Sequence, residues 1–270
     1  MEKRDPTDSD KNQPDITGEP ENNEHHQETD LTKGSITRNL WTLAWPMTLS
    51  TTVMMIGPII DMIWIGKLGS AEMAGVGISA IVVGLINSLI MGLFTGLRAL
   101  VARFVGAGDK AQANHIAQQA FVIGVAISLL MAVIGELFAT NIMNLWELEA
   151  NVVAAGAAYM RIELIGTFTM SFGLLASSIM QASGDSQMPM RVTVAERLFH
   201  IVLCPLLIFG WGFFPRMGVS GAALSGVIAQ GLGGAVLMWI LFSGRTRLRI
   251  SLRNFSFDWA TIWRIAKIGI

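Results

Sequence analysis

Asp61 lies in an otherwise apolar stretch, with Ile59, Ile60, Met62, Ile63, Trp64 and Ile65 around it. A carboxylate in such surroundings is costly unless it is protonated, paired or wetted. The residues alone leave two readings open. Asp61 is either a protonatable or cation-binding acid inside an apolar helix, or an acid near the end of that helix that reaches headgroup water. Its position about 35 Å along an ideal helix from Arg38 keeps the second reading alive. Ser50, Met54, Gly57 and Asp61, spaced four, three and four, fall on one helical stripe. Further along, Glu196, His200 and Cys204 are spaced four apart and share a helix face. Glu196 and His200 could titrate together and move a proton. The alternative is that Glu196 pairs with Arg197 or Arg191 at the membrane surface while His200 bonds a carbonyl. A Glu/His pair supplies two ligands, so no metal site is expected.

Weaker polar candidates sit in other apolar stretches. Asn87 needs a partner inside a helical bundle, as helix–helix glue or as a substrate contact. Gln181, Ser225 and Gln230 raise the same choice, as do Thr167, Thr169, Ser171, Ser177 and Ser178. Sixteen methionines could line an adaptable apolar pocket or simply fill gaps. No nucleophile–base constellation occurs. Gly106-Ala107-Gly108 is not followed by the Lys-Ser/Thr of a phosphate loop, and no Gly-x-Ser-x-Gly is present. An enzyme is therefore not expected, and no cofactor beyond a coupling ion is implied. The basic loops lack aromatics at nucleic-acid spacing, so no nucleic-acid partner is expected.

These residues must be held by spans. The 270 residues are 52% hydrophobic and only 14% charged, against about 25% charged in an ordinary soluble domain. Uncharged runs of spanning length recur after Arg38, at 73–97, 116–135, 164–184, about 192–214 and 217–244, and a seventh apolar segment starts near Trp259. Pro46 and Pro58 each remove a backbone donor from the first span and favour a bend. The expected division is an acidic disordered tail over 1–34, a six-span lobe over 35–244, and a basic linker with an incomplete seventh helix over 245–270.

Charge sets the expected orientation. Residues 1–34 hold ten of the twenty acids and four bases, and His25-His26 there reads as solvated histidine; the remainder carries a net +5. No signal peptide is expected, because the first apolar run follows a long acidic segment. Alternate connections carry nine bases (Arg98, Arg103, Lys110, Arg191, Arg197, Arg245, Arg247, Arg249 and Arg253), against Lys67, Arg161 and Arg216 on the other side. The positive-inside rule then places the nine, and the amino terminus, in the cytoplasm of a multi-pass protein of the plasma (inner) membrane. The Arg245–Arg253 cluster is expected to fix topology, with anionic headgroup binding as a second role.

Four motifs, in order, carry a resemblance. Pro46 precedes Asp61 by fifteen residues, and Trp64-Ile65-Gly66-Lys67-Leu68-Gly69 follows. Then come Ala102-Arg103-Phe104-Val105-Gly106-Ala107-Gly108-Asp109, Gln181-Ala182-Ser183-Gly184-Asp185 with Pro189, and Gly218-Val219-Ser220-Gly221-Ala222-Ala223. From about Leu40 onward the chain resembles the multidrug and toxic compound extrusion (MATE) family. The resemblance implies an all-α integral membrane fold, here the six-helix amino-terminal lobe of a twelve-helix transporter plus the start of helix seven, with the carboxy-terminal lobe missing. It implies export of organic cations or drugs across the bilayer against H⁺ or Na⁺, with Asp61 as the coupling acid and Pro46 marking the bend in the first helix. Two features depart from the family pattern. Several members carry an Asn and, four residues on, an Asp before a proline in helix five, where this chain has His200 and Cys204 ahead of Pro205. Pro58 is also unusual. Glu196 or His200 would then have to serve in place of that second acid. Two other functions remain: a lipid-linked oligosaccharide flippase of related architecture, for which a more cationic cavity is expected, and a non-transporting half-size membrane subunit.

Overall fold

A computed structural model describes residues 36–212, 214–243 and 257–269. The acidic tail and the Arg245–Arg253 cluster lie outside the described residues. Seven helices follow one another: α1 (Ile36–Gly66), α2 (Ser70–Gly106), α3 (Lys110–Asn144), α4 (Ala150–Ala182), α5 (Gln187–Phe209), α6 (Val219–Ser243) and α7 (Trp259–Gly269). The first six each contain a segment long and apolar enough to cross a membrane. In lipid every backbone polar group needs an internal partner, which a continuous helix provides. α1 runs through both Pro46 and Pro58 as one helix. α5 contains Pro205 and ends at Gly210, whose left-handed φ of 72° lets its N–H reach the Leu206 carbonyl at 3.0 Å.

The fourth span differs from the expectation. It begins at Ala150, not near 164, so Arg161 and Glu163 lie inside α4 and not in a loop. A search for uncharged runs stops at those two residues; the bundle tolerates them because both face partners. Arg161 donates through Nη2 to the Thr140 hydroxyl of α3 at 2.9 Å. Arg197 is also not in a loop. It is buried in α5, ten residues into the helix. Removing both from the charge count leaves eight bases on one side and two on the other.

α4 is the central helix, packed on α2, α3 and α6. Small residues permit this, since lipid offers no hydrophobic drive for helix association. Gly75 of α2 meets Gly156 of α4 so closely that a Cβ on Gly75 would lie 2.5 Å from the Val152 carbonyl oxygen and 2.8 Å from the Gly156 nitrogen. Ser79, one turn on, donates to the Gly156 carbonyl at 2.7 Å and shares the Gly75 carbonyl at 2.9 Å. On the opposite side Gly173 of α4 meets Gly234 of α6, where an added Cβ would come 3.3 Å from the Gly173 nitrogen. α1 instead lies against α5, through Trp64 edge-on to Phe209 with ring centres 5.9 Å apart. Trp41, Trp45, Met55, Ile59 and Ile63 leave much of its other surface exposed.

α7 docks on α2 and α3. Ile265 is fully buried against a cluster that includes Leu93, Leu97 and Ala120. Asp258 caps the helix, accepting from the Ala260 and Thr261 backbone N–H groups at 2.9 and 3.3 Å, and its Oδ2 lies 3.4 Å from His115 Nε2. The Thr261 hydroxyl and then its N–H hold the Asp258 carboxyl down at about 2.

Two expected outcomes follow from this packing. Gly75→Ala should destabilise the lobe by roughly 1–3 kcal/mol, because the added methyl meets backbone that cannot step aside. Gly84→Ala, where nothing lies within 4 Å, should be neutral; thermal unfolding in detergent compares the two. A carboxylate with a depressed pKa stabilises above its unfolded value and loses that effect as pH falls through its folded value. The Asp258 cap should therefore hold down to about pH 4 and fail toward about pH 2. Hydrogen–deuterium exchange at Ala260–Ile262 should accelerate over that window, and should already be fast and flat in Asp258→Ala.

Candidate functional site

Four helices bring polar side chains to one place inside the bundle. Asp61 comes from α1, five residues before its end. Its side chain is only 14% exposed, so proximity to the helix end does not open it to water. Its Oδ1 faces α5: Cys204 donates its S–H at 3.2 Å, and His200 Nε2 also lies 3.2 Å away, off the axis of a hydrogen bond. Both residues are buried. The four-residue spacing in α5 puts them on the face that meets α1.

The histidine is set from its other side. Arg197, one turn earlier in α5, lies with Nη1 3.3 Å from His200 Nδ1. A guanidinium has only donors, so Nδ1 must accept and the ring proton of a neutral imidazole resides on Nε2. The Arg197 guanidinium lies directly over Gly57 of α1, in space that any β-carbon there would occupy. Gly57 and Asp61, one turn apart, therefore both contact α5. Glu196 is not paired with His200, as the shared face had suggested. Its Oε1 lies 3.9 Å from Arg197 Nη2, and its other oxygen packs on Gly233 of α6. The Glu196–Arg197 pair forms, but within the bundle and not at the surface: the two side chains are 16% and 10% exposed.

Asp61, His200 and Cys204 place one oxygen, one nitrogen and one sulfur within 4.8 Å of one another. The two-ligand count drawn from Glu196 and His200 thus becomes three with a different acid. The ring geometry still opposes a metal. Metal-bound histidine usually donates its second N–H to an acceptor, whereas here that nitrogen faces a cation and the lone pair a metal would need is capped by a proton.

α4 and α6 close the cluster. Tyr159 and Glu163, one turn apart on α4, interact with each other, and Glu163 also feels the charges of Asp61 and Arg197. Ser225 of α6 reaches Cys204, and its hydroxyl donates to the Ala222 carbonyl at 2.7 Å. Gln230 Nε2 points toward Gly226 beside His200 and Glu163. Neither Tyr159 nor Glu163 was a candidate from sequence. Their signal was available: the chain's one tyrosine lies four residues before an acid, within a long apolar region.

The remaining candidates stand apart. Gln181 does not join the cluster: its amide oxygen accepts from Arg98 Nη1 of α2 at 2.7 Å, near the opposite ends of these helices. Ser50 folds back to the Pro46 carbonyl at 2.8 Å, and Met54 is 38% exposed, so the stripe expected on α1 is buried at Gly57, half-buried at Asp61 and open at Met54. Asn87 is half-buried and bonds no described residue. Pro46 is buried, and Pro58 is exposed beside Gly57.

Known proteins share this arrangement of helices. The family model described as MatE matches residues 46–206. A protein of Thermotoga maritima named "Probable multidrug resistance protein NorM" is 24% identical over 87% of this chain and 50% of its own length. The "FAD transporter" of Shewanella oneidensis is 22% identical over 88% of this chain and 53% of its own. Among solved structures, a MOP superfamily transporter from Pyrococcus furiosus superposes with a TM-score of 0.77 at 27% identity, covering 88% of this chain and 52% of that one. An outward-facing multidrug resistance MATE family transporter superposes with a TM-score of 0.75 at 28% identity. The chain thus spans about half the length of the proteins it matches, and that half is the amino-terminal six-helix lobe. With a family model matched over more than half of its residues, this multi-pass membrane chain belongs to the MatE family.

Proposed function

We propose that the chain forms the amino lobe of a secondary exporter of organic cations or drugs, working against entry of H⁺ or Na⁺. The family consists of transporters and not enzymes, and multidrug resistance relatives support efflux. One observation carries the coupling: a carboxylate on α1 is held inside the lobe against α5, accepting from the Cys204 thiol at 3.2 Å with His200 Nε2 3.2 Å from the same oxygen. Neutralising Asp61 weakens both contacts and so loosens α1 from α5. Cargo and coupling ion then compete, each lowering the affinity for the other by the same factor.

The flippase reading loses ground. Arg197 is a buried cation, but Asp61, Glu163 and Glu196 surround it, so the pocket remains acidic and ill suited to a pyrophosphate. The basic residues near the α2–α3 and α4–α5 turns support a cytoplasmic amino terminus in a plasma membrane.

Asp61→Asn should lower ethidium efflux by the full-length protein about tenfold or more at equal expression, since couplings of this type amount to about 5- to 150-fold. Efflux at the parent rate would remove Asp61 from the mechanism.

A further inference from the structure

We infer that Glu163 is a second proton-binding carboxylate of the Asp61 pocket, linked to Asp61 through the His200 ring and a polar niche over Gly226. This deepens the exporter reading and rests on it.

The niche is defined by a missing side chain. A Cβ built on Gly226 has three nearest neighbours: Glu163 Oε1 at 3.9 Å, His200 Nε2 at 3.9 Å and Gln230 Nε2 at 4.0 Å. Three polar atoms from α4, α5 and α6 therefore converge on the bare face of one glycine. His200 is 1% exposed, and its Nε2 has no hydrogen-bond partner among the described residues. Arg197 fixes the ring proton on that nitrogen, so an unspent donor points into a space that has a carboxylate on one side and Asp61 on the other. The niche has room for a methyl group, and so for a single water between Glu163 and His200.

Charge balance gives the niche a purpose. The titratable groups facing Glu163 are Asp61 on α1, Tyr159 on α4 itself, and Arg197 and His200 on α5, with Glu196 beyond Arg197 and Cys204 beyond Asp61; α6 adds only the neutral Gln230 and Ser225. α2 and α3 also pack on α4 but set no described titratable group against Glu163. With every carboxylate ionised, three acids oppose one guanidinium, a net −2. Glu196 and Arg197 balance each other. Protonating Asp61 and Glu163 then brings the pocket to neutrality, the state that apolar surroundings favour when no cargo is bound. One proton would leave it charged. The pocket therefore exchanges two protons for a dication, one for each positive charge that the cargo brings.

The test uses purified full-length protein in weakly buffered detergent, with the dication dequalinium as the probe. Probe binding should release about two protons from the parent and about one from Glu163→Gln, and the slope of log affinity against pH should halve. Glu163→Asp keeps the carboxyl and should restore the second proton, which separates proton binding from a structural role. A count unchanged by Glu163→Gln, or not restored by Glu163→Asp, overturns the inference. Undiminished efflux in Asp61→Asn would instead defeat the exporter coupling itself, whatever Glu163 does.

Discussion

A charged group inside an apolar bundle has to be matched by neighbours that the fold itself delivers, and this requirement organises the lobe. Asp61 comes from α1, and Glu163, Glu196 and Arg197 come from the consecutive helices α4 and α5. Each alone would be expensive to keep out of water. Together they form one cluster in which a histidine of fixed tautomer and a thiol complete the shell around Asp61. The helices that carry these groups cannot drift apart without exposing an unmatched charge. The cluster therefore acts as an electrostatic clasp on a bundle otherwise held by close glycine contacts and single hydrogen bonds between helices.

The glycine contacts and the clasp depend on each other. α4 can bring Tyr159 and Glu163 into the cluster only because it lies close to its neighbours. Gly75 and Gly156 set that approach on the α2 side, and Gly173 and Gly234 set it on the α6 side. A single methyl at the tightest of these contacts moves α4 as a body, and with it the acid that it carries. On α5 the same economy applies at smaller scale. Gly57 gives Arg197 a resting place on α1, and Gly233 gives Glu196 one on α6. Backbone without side chain is thus where the charged groups lie, which explains why glycines sit opposite ionisable residues in this lobe.

Much of this was legible in the sequence. Uncharged runs located six spans and the start of a seventh helix, because a lipid-exposed helix must be apolar over its whole circumference. Asp61, His200 and Cys204 stood out as polar groups in those runs. What could not be read was which face of one helix meets which face of another. Glu196 and His200 share a stripe on α5, yet the acid turns to α6 and the imidazole to α1. The larger miss, Glu163, came from the rule itself. A charge was taken to end a span, whereas here Arg161 and Glu163 lie within one, each answered by a partner on another helix. Gln181 erred in the opposite sense: it is a polar residue near a helix end, and Arg98 claims it.

The guanidinium seated over Gly57 has a mechanical consequence. Gly57 and Asp61 are one turn apart, so the slot that holds Arg197 and the acid that meets His200 point the same way. A quarter turn of α1 about its own axis would swing both away from α5 in a single movement. A small rotation brings a β-carbon to that spot, and the Arg197 guanidinium must swing aside to admit it. The seam works as a catch: α1 leaves its notch only as the arginine moves with it.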